Sequence, residues 1–162
     1  MNNPLPATRR YFEDLHLGET IELGRATVTR EMIFEWAREF DPLPFHLDEE
    51  AAKKSLLGGL ASSGWQTGAL TLRLLGESFL NGIATAGGLG FSDLKWKKPV
   101  MVGDTISATA TIAGLRRSSH HPERGILMMD LVVTNQKGDE VMTMSLANLV
   151  EAREPAAQEP AS

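Results

Sequence analysis

Cysteine is absent from the 162-residue chain, which excludes disulfide staples, thiolate nucleophiles and cysteine-based zinc sites. A basic excess is missing as well: 16 Lys and Arg stand against 21 Asp and Glu, for a formal net charge of −5. That balance argues against a nucleic-acid partner, which calls for a basic face. It does not exclude a small anionic ligand, because a local patch can oppose the net sign. No run approaches the roughly 20 apolar residues needed to cross a bilayer, and residues 1–10 hold no apolar signal-peptide segment. The chain is therefore expected to have no membrane partner and to work in the cytoplasm. Histidine is scarce, at four residues, of which His120 and His121 are adjacent rather than at helical spacing. No metal site is expected from such a set.

What is present suits one folded domain. A hydrophobic fraction of 42% with 23% charged residues is ordinary for a globular protein, and a chain of about 150 residues buries roughly 70% of its unfolded surface. The domain is expected over residues 10–152, after a leader at 1–9. Residues 153–162 hold nothing large to bury and read as a disordered tail.

Periodicity orders the elements. Thr20 to Val28 reads as a strand, and Met32, Ile33, Trp36, Ala37 and Phe40 recur at helical spacing behind Thr29, a plausible N-cap. Glu35 lies off that apolar stripe and is assigned an ion pair with Arg38. Asp48 opens a short charged helix to Lys54. Residues 63–80 read as a buried helix, with Trp65, Ala69, Leu72, Leu75, Gly76 and Phe79 on one face and Leu70 and Leu74 beside it. Its glycines, Gly64, Gly68 and Gly76, each cost about 1 kcal/mol of helix propensity, so close approach of a backbone or a ligand is expected at each. Everything after Gly82 is strand and turn. Ile106, Ala108, Ala110 and Ile112 alternate with polar partners, and Lys137-Gly138-Asp139 joins the last two strands as a hairpin turn. A long helix followed by hairpin-linked strands predicts an α+β fold with an antiparallel sheet laid over the helix.

The chemistry concentrates in Phe40-Asp41-Pro42-Leu43-Pro44-Phe45-His46. Two prolines fix φ and bias Asp41 and Leu43 away from helix, so the segment reads as a stiff loop after a helix end. It holds a carboxylate and an imidazole five residues apart, the parts of an acid/base pair. Asp41 and His46 acting only as turn and capping residues is the alternative on spacing alone.

Asp41, Pro44, His46 and Ala52, with the small-residue segment Ala61-Ser62-Ser63-Gly64 and the later Gly90-Phe91 to Pro99 and Gly103-Asp104, resemble the signature of the MaoC-like dehydratases, relatives of the (R)-specific enoyl-CoA hydratases. The resemblance runs from about Tyr11 to Val150. It implies a hot dog fold, a homodimer, and the addition or removal of water at the α,β position of an acyl-CoA thioester, with no organic cofactor. Asp41 and His46 then become the catalytic pair. The sequence departs from the family pattern at Leu43, where the family has Asn, and at Ser63, where a His is common.

Ser63 and Gly64 begin the buried helix, where free N–H groups and the dipole favour a developing oxyanion; a simple N-cap is the structural alternative. The resemblance assigns the thioester carbonyl to the Gly64 N–H. Gln66, one turn in, is either a further substrate contact or an exposed helical glutamine. Arg116, Arg117, His120, His121 and Arg124 crowd one hairpin that either meets coenzyme A phosphates or stays solvated with Glu123. Two other functions share these features: a hot dog thioesterase attacking the carbonyl, and a non-catalytic acyl-CoA binder, which Leu43 favours.

Overall fold

The structure, a computed structural model, describes residues 9–154. Strand β1 (Thr20–Thr27) leads into helix α1 (Arg30–Phe40), the single turn α2 (Pro44–Leu47) and helix α3 (Glu49–Lys54). The long helix α4 (Gly64–Ser78) follows, and then β2 (Thr85–Trp96), β3 (Thr105–Arg117), β4 (Arg124–Thr134) and β5 (Glu140–Glu151). The strands make one antiparallel sheet in the order β1-β3-β4-β5-β2, which leaves β1 and β2 on the edges.

Local signals set several boundaries. Thr29 accepts from the Met32 N–H at the start of α1, and Asp48 accepts from the Ala51 N–H at the start of α3. Both are side-chain caps on otherwise orphan donors, worth about 1 kcal/mol each. In β3 the side chains of Ile106, Ala108, Ala110 and Ile112 are buried and their neighbours are not, as alternation requires. That strand continues past Ile112 to Arg117 through an irregularity at Ile112/Gly114. The β4–β5 hairpin closes at Gly138, whose φ of 81° suits a residue without Cβ.

The sheet wraps α4, and the core forms between them from Leu70, Leu74 and Leu75 on the helix with Leu23, Ile106, Leu131 and Met142 from the sheet. This corrects part of the face expected for α4: Leu75 and Phe79 are buried as expected, but the phase is shifted. Its buried positions are Gln66, Thr67, Leu70, Thr71, Leu74 and Leu75, whereas Trp65 and Leu72 are 53% and 54% exposed. The helix carries large apolar groups on both sides, so periodicity alone gave no unique phase. Hydrogen bonding resolves it, because Gln66 finds two partners inside and Ser78 Oγ donates to Leu23 O of β1.

Arg153 and Glu154, assigned to the tail, are tied to the domain. Arg153 makes two bonds to the Asp14 carboxylate at 2.7 and 2.6 Å, and Arg117 Nη1 donates to Glu154 O. Arg153 holds the Asp14 carboxyl at about 2. Residues 1–8 of the expected leader and 155–162 of the expected tail lie outside the described residues. No helix among the described residues is long and apolar enough to cross a membrane.

Candidate active site

Asp41 is the C-cap of α1: its N–H closes the helix on Ala37 O, and its φ/ψ of −151° and 67° turns the chain away. Leu43 caps α2 from the front, and Pro44 takes the first helical position, where its missing N–H costs nothing. His46 therefore sits on a helical turn rather than in the loop expected for it. Its side chain is buried, at 6% exposure.

The imidazole is oriented from behind. Nδ1 lies 2.9 Å from Ala61 O, and a carbonyl can only accept, so Nδ1 carries a proton and Nε2 is the nitrogen turned to Asp41, with a lone pair in the neutral ring. Nε2 is 3.7 Å from Asp41 Oδ2. That carboxylate oxygen also accepts from Ser63 Oγ at 2.6 Å, a short charge-assisted bond.

Because its hydroxyl is turned to Asp41, Ser63 does not cap α4 with its side chain. The first N–H groups of a 15-residue helix therefore remain uncapped at the Gly64 end. Gly64 itself is overlaid by Trp96 of β2. The indole Nε1 donates to Gly64 O at 2.9 Å, and a Cβ built on Gly64 would lie 2.5 Å from the ring. Close approach thus explains this glycine. It does not explain Gly68 or Gly76, where an added Cβ would meet nothing within 4 Å.

These groups line one cavity of about 520 Å³, in which Asp41, Leu43, His46, Ser63 and Gly64 come together under Trp96. Leu43 is 44% exposed and forms part of the wall, with no polar atom in its side chain to hold a water. Gln66 is elsewhere. It is 4% exposed, its amide N donates to Met32 O at 2.7 Å, and its Oε1 accepts from Ser62 Oγ at 2.8 Å. Its nitrogen ties α4 to α1 and its oxygen holds Ser62 just before α4, so neither the exposed position nor a free substrate contact describes it. The basic hairpin also pairs with carboxylates of the chain: Arg117 bonds Glu13, far away in sequence, while His121 and Arg124 lie beside Glu123. Glu35 and Arg38 form no ion pair among the described residues, and the Arg38 guanidinium stands over the Phe34 ring, 5.7 Å from its centre. No cluster of three or more metal-ligating side chains occurs among the described residues.

Sequence reasoning missed two contributors. The Ala61 carbonyl has no side-chain signature. Trp96 lies 32 residues from Gly64, so nothing local marks the indole as the cover of that backbone.

Comparison with known proteins identifies the family and the fold. The MaoC like domain matches residues 14–127. The chain is similar to the (R)-specific enoyl-CoA hydratase of Rhodospirillum rubrum, 32% identical over 65% of this chain and 71% of that protein. It is also similar to the uncharacterized protein YdeM of Bacillus subtilis, 29% identical over 85% of this chain and 96% of that one. Among solved structures, the MaoC-like dehydratase from Rhodospirillum rubrum superposes with a TM-score of 0.81 at 39% identity, over 89% of this chain and 98% of that chain. A match across most of the domain, on a sheet-wrapped helix with the Asp41 and His46 signature at its head, makes the chain a hot dog protein of the MaoC-like domain family.

Proposed function

We propose that the chain is a hydratase/dehydratase that adds water to, or removes it from, the α,β position of an acyl thioester carried by coenzyme A. The observation that carries this reading is the 3.7 Å approach of His46 Nε2 to Asp41 Oδ2 beside the uncapped start of α4. Two acceptors so spaced can share one water. In hydration the water oxygen bonds to Cβ, one of the pair takes the water proton, and one proton is delivered to Cα, so the pair ends as it began. The C=C π bond breaks, and one C–O and one C–H bond form. Charge that develops on the thioester oxygen meets the Gly64 N–H and the positive end of α4. Ser63 acts by holding Asp41 rather than by touching substrate. No organic cofactor enters this chemistry.

The test is incubation with crotonyl-CoA. Loss of enoyl-thioester absorbance with formation of 3-hydroxybutyryl-CoA and no free thiol supports the reading. Release of thiol would assign a thioesterase instead. Leu43 is the one residue that favours a second reading, a non-catalytic acyl-thioester binder, since it puts an isobutyl group where the family has an amide. Leu43→Asn, close in volume and able to donate and accept, is expected to raise the hydration rate or leave it unchanged. A large drop would mean that Leu43 packs against the acyl group, and complete inactivity in both forms would favour the binder.

The functional unit is proposed to be a homodimer joined through β2. This edge strand of 12 residues is exposed at every position but one, and it presents Leu89 and Phe91 at 52% and 60% exposure. A long apolar edge is an aggregation site unless another edge pairs with it. Light scattering at micromolar concentration is expected to give twice the chain mass. A strict monomer would remove the dimer from this account.

A further inference from the structure

A second and larger cavity, of about 700 Å³, lies on the far side of Trp65 from the Asp41 and His46 site. Trp65, at the first turn of α4, lines both cavities, so they are neighbours. Three glycines line the larger one. Gly90 on β2 has a φ of 150°, which disfavours a side chain, but Gly68 on α4 and Gly88 on β2 have no such backbone reason, and an added Cβ on either would meet nothing within 4 Å. Neither glycine has a packing neighbour in the chain that requires it to be small, and Gly68 sits in a helix, where glycine is unfavourable. The space they leave is the feature to be explained.

The wall carries two indoles, Trp36 and Trp65, and one amide, Asn148, among apolar side chains, and the Trp36 Nε1 is sealed away without a partner. Met144, Leu146 and Asn148 alternate along β5 and all line the cavity. Asn148 is 8% exposed, and its side-chain amide makes no hydrogen bond among the described residues. Neither of its polar atoms is sealed away, so both keep some exposure at a residue that lines the cavity. An occupant that displaces water from such an amide must replace its hydrogen bonds or leave it unpaired, which is costly. No Asp, Glu, Lys or Arg lines the cavity, which excludes a charged occupant, since nothing there would compensate a buried charge.

Building on the hydratase reading, we propose that this cavity receives the tail of the acyl group and that Asn148 reads a neutral oxygen on it. The substrate class is then an acyl thioester whose chain carries a hydroxyl, carbonyl or ether oxygen within an otherwise apolar stretch. Asn148 is a specificity-determining residue, because an amide can both donate to such an oxygen and accept from a hydroxyl. A plain alkyl tail fits the volume but leaves the amide unpaired.

The experiment compares octanoyl-CoA with hydroxyoctanoyl-CoA carrying the hydroxyl at successive positions toward the end of the chain. Binding of these saturated thioesters is measured by calorimetry to the full chain and to Asn148→Leu, which keeps the volume and removes the polar atoms. The wild type is expected to prefer one hydroxylated isomer. Asn148→Leu is expected to shift the ratio toward octanoyl-CoA by at least about tenfold, and Asn148→Ser to retain part of the preference. A ratio unchanged within about twofold in both variants would overturn the proposal. So would an unchanged ratio with weakened dimerisation, which would assign the cavity to the contact between two copies. Binding needs no turnover. Failure of the hydratase reading would show as no hydration of any enoyl thioester with the Asn148-dependent preference intact, whereas failure of this inference would show as hydration with no such preference.

Discussion

Hydration of crotonyl-CoA is expected to fall by about 10² or more in both Asp41→Asn and His46→Ala, the lower end of what a positioned acid or base contributes. Asp41→Asn keeps the shape and the contact with Ser63 but removes the proton acceptor. His46→Ala removes the lone pair at Nε2 and leaves the Ala61 carbonyl without its 2.9 Å partner. The lost bond costs about 1 kcal/mol, so the fold should persist, and circular dichroism on both variants checks this. The double variant is expected to be little worse than the worse single one, because both groups serve one proton path. Either single variant turning over crotonyl-CoA near the wild-type rate would remove its residue from the proton path. Strict additivity of the two losses would mean that the groups act on separate steps.

The parts of this site that were legible in the sequence are those fixed within a few residues. Pro42 and Pro44 announce the break after α1, Thr29 and Asp48 announce helix starts, and the Asp41 to His46 spacing survives folding as a real approach. The alternation in β3 was equally plain, because one face of that strand meets only the core. What was not legible depends on partners far along the chain. Ser63 bonds Asp41 across 22 residues, Gln66 bonds Met32 across 34, and Trp96 covers Gly64 across 32. Each of these pairings redefines a side chain that local reasoning had treated alone. Ser63 changes from cap to Asp41 support, and Gln66 from surface residue to interior tie. Neither change could be read from residue type, because serine and glutamine serve on surfaces far more often than in interiors.

The pairing of Trp96 with Gly64 leads to the second large effect, in Gly64→Ala. A Cβ at this position would stand 2.5 Å from Trp96 Cε2 and 2.7 Å from Cδ2 and Nε1, inside contact distance of a rigid ring. The indole cannot swing away freely. Its Nε1 is bonded to Gly64 O, and its edge meets Trp65 with ring centres 5.2 Å apart. The methyl group must therefore push the indole off β2 or displace the first turn of α4, and either movement shifts the N–H assigned to the thioester oxygen. A displacement of about 1 Å at a reacting site is enough to cost roughly 10² in rate. The variant is expected to lose about 10² in kcat/KM for crotonyl-CoA and about 1–3 kcal/mol of stability from overpacking, seen as a lower Tm. Gly64→Ala combined with Trp96→Ala separates the two consequences. Removing the ring should relieve the overpacking and recover part of the Tm, while activity stays low because the cover over the carbonyl site is gone. If Gly64→Ala alone kept both wild-type turnover and wild-type Tm, the contact with Trp96 would not constrain the helix start, and the role assigned to the Gly64 N–H would lose its structural basis.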